Sequence, residues 1–273
     1  MNPKLSESSH SLYNHCNLPP WVIASRGFQE DPCPLELEGV KATDRRLFDR
    51  LTPLDDAAER GQVFHDYVSV KFRLHEWSEH AGLARSSLRH SYISFLHGWG
   101  ADNNGHSGAV LKAWVESRFG LKATYHGGRL ASDAQAQERY WGDRMKGAAR
   151  TVAVSMQLDL LYTFCQEELR RRHPGQRWLT LYRGTHDSEA YAVQAGGEGG
   201  VVSRTCTLVA LNNLRSFTSD REIAWEFGSL VWQVRVPLEK IVFFSGLRPS
   251  HLLEGEGEYL VLGGEYAVKP LLY

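Results

Sequence analysis

The chain has 273 residues, and its 31 Lys+Arg against 32 Asp+Glu leave a formal net charge of −1. With 42% hydrophobic and 11% aromatic residues it carries ample material for a core, which excludes global disorder. The even charge balance also argues against attachment to nucleic acid through phosphate neutralisation, which needs a basic surface. The length fits one large domain or two small ones.

No apolar run approaches the ~18–20 residues that a membrane-spanning helix needs. The polar start, from Met1 to His10, has neither the basic nor the apolar region of a secretory signal. Four scattered cysteines (Cys16, Cys33, Cys165, Cys206) form no C-x-x-C pair. That usage reads as reduced thiols in a cytoplasmic protein, not as disulfides or a cysteine-rich metal site.

Taken in chain order, residues 11–50 are irregular and proline-rich (Pro19, Pro20, Pro32, Pro34) and read as an extended, packed arm. A helix is predicted from Thr52, with Thr52 as cap, Pro53 at the first helical position and Asp55 and Asp56 at the positive end of the dipole. Val63, Tyr67, Val70, Leu74 and Trp77 continue it as an amphipathic stripe. Shorter helices are predicted over Ser87–Leu96, Ala109–Phe119 (stopped by Gly120) and Ser132–Trp141. A long one follows over Thr151–Arg172, with Val154, Leu158, Leu161, Cys165 and Leu169 on one face. Arg170, Arg171 and Arg172 at its end suit the negative pole of the helix dipole better than an anion site.

Beyond Gly175 the period changes. Trp178–Tyr182, Val201–Leu208, Leu230–Val236, Ile241–Phe244, Tyr259–Leu262 and Tyr266–Leu272 are β-rich runs, and Gly263-Gly264 is a hairpin signal. The pattern is α+β: a mostly helical part over 1–150, then a mainly antiparallel β part over 151–273.

Several familiar motifs fail on spacing. His75 and His80 are five apart, whereas a zinc helix needs four. Gly142 to Gly147 has the outline of a phosphate-binding loop, but Ala148 stands where the lysine belongs. Gly105-His106-Ser107-Gly108 lacks the setting of a nucleophile elbow. The cluster Gly196-Gly197-Glu198-Gly199-Gly200 reads as a flexible loop.

Three elements of the β part carry chemistry. They are Leu181-Tyr182-Arg183-Gly184-Thr185, then Ser216-Phe217-Thr218-Ser219 running toward Ala224 and Phe227, then Glu254-Gly255-Glu256-Gly257-Glu258 leading into Tyr259-Leu260-Val261-Leu262. Arg183 offers a permanently charged planar fork suited to a diphosphate, and Gly184 allows close backbone approach. On an extended strand Glu256 and Glu258 project to one face, roughly 6.5–7 Å apart. Glu254/Glu256 is a second possible pair.

In order and content these elements resemble the R-S-E class of ADP-ribosyltransferases. Together with Asn17-Leu18-Pro19-Pro20-Trp21-Val22-Ile23-Ala24-Ser25-Arg26, the whole chain resembles the branch of that class that modifies dinitrogenase reductase in nitrogen-fixing bacteria. The resemblance implies a catalytic core of two packed antiparallel sheets around an NAD cleft, and a partner-recognising role for the helical part. It implies Arg183 as the NAD anchor, Ser216 as a brace for the catalytic Glu258, and Glu256 as the group that orients the acceptor arginine. Phe217 interrupts the class's Ser-Thr-Ser, so Thr218 or Ser219 remain alternatives for the bracing hydroxyl. Phe227 is placed either beside the nicotinamide or in the core. The resemblance further implies NAD as substrate and the nitrogenase iron protein as acceptor. With these come reversal by a separate glycohydrolase and control by a PII signalling protein. No metal is expected, because the leaving group is already a cationic pyridinium. An NAD-sensing regulator without activity and an NAD glycohydrolase are the alternatives.

Overall fold

The computed structural model describes residues 10–11, 13–74, 91–130, 132–148, 152–186, 206–247 and 257–271. The rejected His75/His80 pair, the glycine cluster 196–200, and Glu254 and Glu256 lie outside them.

The proline-rich arm is folded, not extended. It forms four short helices: α1 (Pro20–Ala24), α2 (Arg26–Glu30), α3 (Val40–Thr43) and α4 (Arg45–Leu51). Pro20 sits at the first helical position of α1, where its missing N–H costs nothing, and Ser25 caps α2 by accepting from the Phe28 amide. The helix predicted from Thr52 begins later. Thr52 closes α4, and α5 (Ala57–Lys71) is capped by Asp56, whose carboxylate accepts from Ala58 N and Glu59 N. The Thr52 hydroxyl is engaged at the end of α4, donating to the Phe48 carbonyl at 2.8 Å, and the capping role falls to Asp56.

Next come α6 (Tyr92–Ala101), capped by Ser91, and α7 (His106–Phe119). Gly120 terminates α7 at φ +69°, as a left-handed helix end requires. A small ribbon, β1 (Thr124–Tyr125) with β2 (Gly128–Arg129), leads to α8 (Ala134–Ala148) and the 21-residue α9 (Val152–Arg172). Gly142 and Gly147 lie inside α8, so no phosphate loop exists there. Val154, Leu158, Leu161, Cys165 and Leu169 of α9 are all buried, as the periodicity predicted.

The arginines at the end of α9 are structural ties. Arg171 donates to the carbonyls of Leu51, Thr52 and Leu54, Arg172 to that of Gly246, and Arg170 pairs with Glu167. One turn earlier, Glu168 and Arg60 of α5 form a two-pronged pair at 2.5 and 2.9 Å with both side chains almost fully enclosed.

The β part comprises β3 (Trp178–Thr185), β4 (Thr207–Thr218), α10 (Arg221–Glu226), β5 (Leu230–Pro237), β6 (Ile241–Phe244) and β7 (Glu258–Leu271). All pairings are antiparallel, in the order β4-β3-β5-β7-β6, and β4 also pairs with β7. The sheet therefore closes on itself: in place of the two separate packed sheets expected, one hydrogen-bonded system holds all five strands.

Two sequence expectations are corrected here. Gly263-Gly264 makes no hairpin: β7 runs straight through both residues. The glycines are needed because other backbone crosses there. A Cβ on Gly263 would overlap the Asn212 carbonyl, and one on Gly264 would lie 2.6 Å from the Ala24 carbonyl oxygen. Likewise β4 extends to Thr218, well beyond the strand expected over 201–208, because a bulge at Asn212-Asn213 carries it past two residues that read as a turn.

The helical and β parts share one hydrophobic core, with Ile23, Phe64, Trp99 and Phe119 in the same cluster as Leu181, Phe217, Trp232 and Tyr266. The bulge asparagines reinforce that junction. Asn213 Nδ2 donates to the carbonyls of Lys112 and Leu121, and Asn212 exchanges two hydrogen bonds with the backbone of Thr124. At the other end, Gln29 of α2 behaves as a surrogate strand. Its amide accepts from Ala267 N at 2.7 Å and donates to the carbonyls of Ala267 and Arg235.

Candidate active site

The site forms where the end of β4, the start of β7 and the second half of β3 meet. Thr218 lies opposite Glu258 and Ser216 opposite Leu260, so Ser216 and Glu258 are diagonal neighbours on one face. Their side chains meet: Ser216 Oγ donates to Glu258 Oε1 at 2.8 Å. Tyr182 of β3 pairs with Thr218, which brings Arg183 alongside, and Arg183 Nη1 donates to the Ser216 carbonyl at 2.7 Å. Three residues separated by 33 and 42 positions are thus joined through one serine.

The other hydroxyls of Ser216-Phe217-Thr218-Ser219 have structural engagements. Thr218 Oγ1 accepts from the Asp220 amide at 3.1 Å as the chain turns into α10. Ser219 hydrogen-bonds Tyr259, whose phenol is pushed up chiefly by burial, with that bond opposing. Phe217 points the other way, into the core at 3% exposure. The residue that interrupts the class pattern is accommodated as a core side chain.

Gly257 enters β7 at φ +63°, and a Cβ on it would lie 3.1 Å from Ser219 Oγ. The alternation of glycines with glutamates therefore has a steric reason at this position. Glu256 precedes it, outside the described residues.

Gly184 is required by the chain's own packing. A Cβ there would overlap the Ala224 carbonyl oxygen and crowd the backbone of Phe227 and Gly228, so α10 can lie directly on β3 only over a glycine. Ala224 is fully buried in this contact. Phe227, just after α10, is 57% exposed and belongs to no core cluster. Of its two expected placements, the core is excluded.

Sequence reasoning missed one member of the site. Trp99 of α6 donates its indole Nε1–H to Ser216 Oγ at 2.8 Å while only 3% exposed. Lys112 of α7 lies over the Trp99 ring at 5.9 Å and over Tyr125 at 5.0 Å, with its ammonium donating to Asn104 Oδ1. Burial, aided by Arg215 and opposed by Asp102, lowers the Lys112 pKa to about 7. The available signal was His97-Gly98-Trp99-Gly100, a large aromatic between two glycines. Gly98 is where α6 and α7 touch, since a Cβ there would overlap Ser107.

Among the described residues no group of three or more His, Cys, Asp or Glu is placed to hold a metal ion. No described helix is long and apolar enough to cross a membrane.

An arginine, a serine and a glutamate gathered on an antiparallel sheet fit the outline of an R-S-E ADP-ribosyltransferase. The sequence matches the family described as dinitrogenase reductase ADP-ribosyltransferase (DRAT) over residues 13–270, and the chain belongs to that family. It is 40% identical over 263 residues to the NAD(+)–dinitrogen-reductase ADP-D-ribosyltransferase of Rhodospirillum rubrum, covering 94% of this chain and 93% of that relative. No solved structure matches it.

Proposed function

We propose that this enzyme transfers ADP-ribose from NAD to an arginine of dinitrogenase reductase, with Arg183, Ser216 and Glu258 holding the donor. The observation that carries the reading is the Ser216–Glu258 hydrogen bond, anchored by Arg183 on the same serine.

Breaking the bond between nicotinamide and ribose sends the bonding pair to nicotinamide and leaves an oxocarbenium-like sugar. A fixed carboxylate beside the anomeric carbon stabilises that developing charge, and Glu258 supplies it while accepting from the ribose 2′-hydroxyl. Ser216 holds the carboxylate in place. Arg183, which donates to the Ser216 carbonyl, is assigned to grip the diphosphate. Phe227, whose backbone borders Gly184 and whose side chain is exposed, is assigned as the surface against which the nicotinamide rests.

The acceptor guanidinium is protonated at neutral pH and must lose a proton to present a lone pair to the anomeric carbon. Glu256 is assigned to orient it and take that proton, a role that typically contributes about 10²–10⁴ in rate. A large dianionic adduct on the iron protein then obstructs its electron-transfer partner by bulk and charge. The cationic leaving group makes Lewis-acid help unnecessary, so no metal is invoked. Control by a PII signalling protein and a cytoplasmic location belong to the same reading.

Incubating the protein with labelled NAD and purified iron protein tests it, with mass spectrometry to locate the adduct. Label on an arginine is the expected result. Tight NAD binding without label favours a sensor, and nicotinamide release independent of the acceptor favours a glycohydrolase. Retention of purified PII on the immobilised enzyme tests the regulatory half.

A further inference from the structure

We propose that Trp99 is a positioning residue for the transfer, fixing the direction in which Ser216 presents its hydroxyl proton to Glu258. The inference rests on the assignment of Glu258 made above and adds a residue from the helical part to its support.

Donor and acceptor chemistry fixes the direction of these bonds. An indole nitrogen can only donate, whereas a serine hydroxyl has one proton and two lone pairs. With Trp99 Nε1–H aimed at Ser216 Oγ from 2.8 Å, a lone pair is occupied and the serine proton must point elsewhere. The Glu258 oxygen at 2.8 Å receives it. The series Trp99 → Ser216 → Glu258 therefore runs one way, and each bond polarises the next. A donor held on a carboxylate favours its ionised form, the form that the cationic transition state requires.

The indole is itself held. It is 3% exposed, Gly98 beside it lets α6 sit against α7, and Lys112 lies over its face. Nothing in the packing of α6 alone needs an N–H at this point, since a phenylalanine would fill most of the same volume. The nitrogen is what reaches the site.

Trp99→Phe is expected to lower kcat for ADP-ribosyl transfer about tenfold while KM for NAD changes less than about twofold. The acidic limb of its kcat–pH profile should move to higher pH, because the carboxylate loses a polarised donor. In a Ser216→Ala background the same substitution should cost nothing more, since the relay is already broken. A merely structural tryptophan predicts the reverse: an unmoved acidic limb and an equal, additive loss in both backgrounds. Either of these results overturns the proposal. If Trp99→Phe does not fold, or Ser216→Ala is too slow to measure, benzothienylalanine at position 99 keeps the ring shape and lacks the N–H. An unshifted acidic limb in that protein is equally decisive. Failure of the underlying assignment is separately visible: Glu258→Gln would then retain transfer whatever happens at Trp99.

Discussion

The hydroxyl of Ser216 and the carboxylate of Glu258 stand diagonally across the β4–β7 pairing, 2.8 Å apart, with neither residue fully enclosed. Removing the charge from this pair tests the chemistry most directly. Glu258→Gln keeps size and hydrogen-bonding capacity, so NAD affinity measured by calorimetry should stay within about threefold, while transfer falls by about 10³ or more. Comparable activity of variant and wild type would remove Glu258 from the mechanism.

The second glutamate separates two outcomes of one intermediate. Glu256→Gln should lose transfer to the iron protein yet continue to release nicotinamide slowly, with water as acceptor. Chromatographic measurement of nicotinamide and of labelled protein in the same reaction gives the ratio. If both products fall together, Glu256 acts on the donor and the pairing with Glu258 is wrong.

Gly184 offers a prediction about support. Because a Cβ would overlap the Ala224 carbonyl, Gly184→Ala should push α10 off β3 and displace Phe227. The expected cost is about 1–3 kcal/mol in chemical denaturation, as for other over-packed positions. A raised KM for NAD should accompany it, and a variant with wild-type stability and KM would contradict the packing argument.

The enclosed Arg60–Glu168 pair predicts a larger effect. Glu168→Gln leaves a guanidinium in the interior without its counter-charge, and about 3–5 kcal/mol of stability should be lost. Replacing both residues by apolar ones of similar volume should recover much of that, which urea titration of single and double variants checks.

Stability should also depend on pH through Lys240. This lysine is fully buried, donates to the Gly263 carbonyl, and is lowered to about 7 by burial, with Glu265 opposing. A base whose folded pKa lies below its unfolded value of 10.4 binds fewer protons when folded. Its contribution therefore destabilises fully below pH 7 and is relieved as pH rises from 7 toward 10.4. The slope of unfolding free energy against pH over that window should be positive in wild type and flatter in Lys240→Met.

Much of this architecture was legible because its signals are local. The face of α9 repeats over 21 residues, Gly120 marks a helix end by its φ, and Arg183, Ser216 and Glu258 stand in class order. What escaped was set by distant backbone. Gly263-Gly264 carries the composition of a turn, but the space it leaves is filled by residues 212 and 24. Asn212-Asn213 is of turn-type composition, yet its amides clamp the helical part to the sheet. The helices of the arm are four to seven residues long, too short for any period to show. Trp99 sat just beyond the predicted end of its helix, and nothing local connects an indole with a serine 117 positions away.

Gln29 and Arg26 meet Ala267 and Glu265 at separations of 238 and 239 residues. Helix α2 thus finds these partners only when β7 has been synthesised. Since β7 also pairs with β4, β5 and β6, no earlier portion of the chain can complete the sheet. Completion of the sheet must then wait for β7, and contacts between such remote segments generally form slowly. Glu258 reaches Ser216 only through the strand that closes the sheet, so the proposed site is assembled only when that closure occurs.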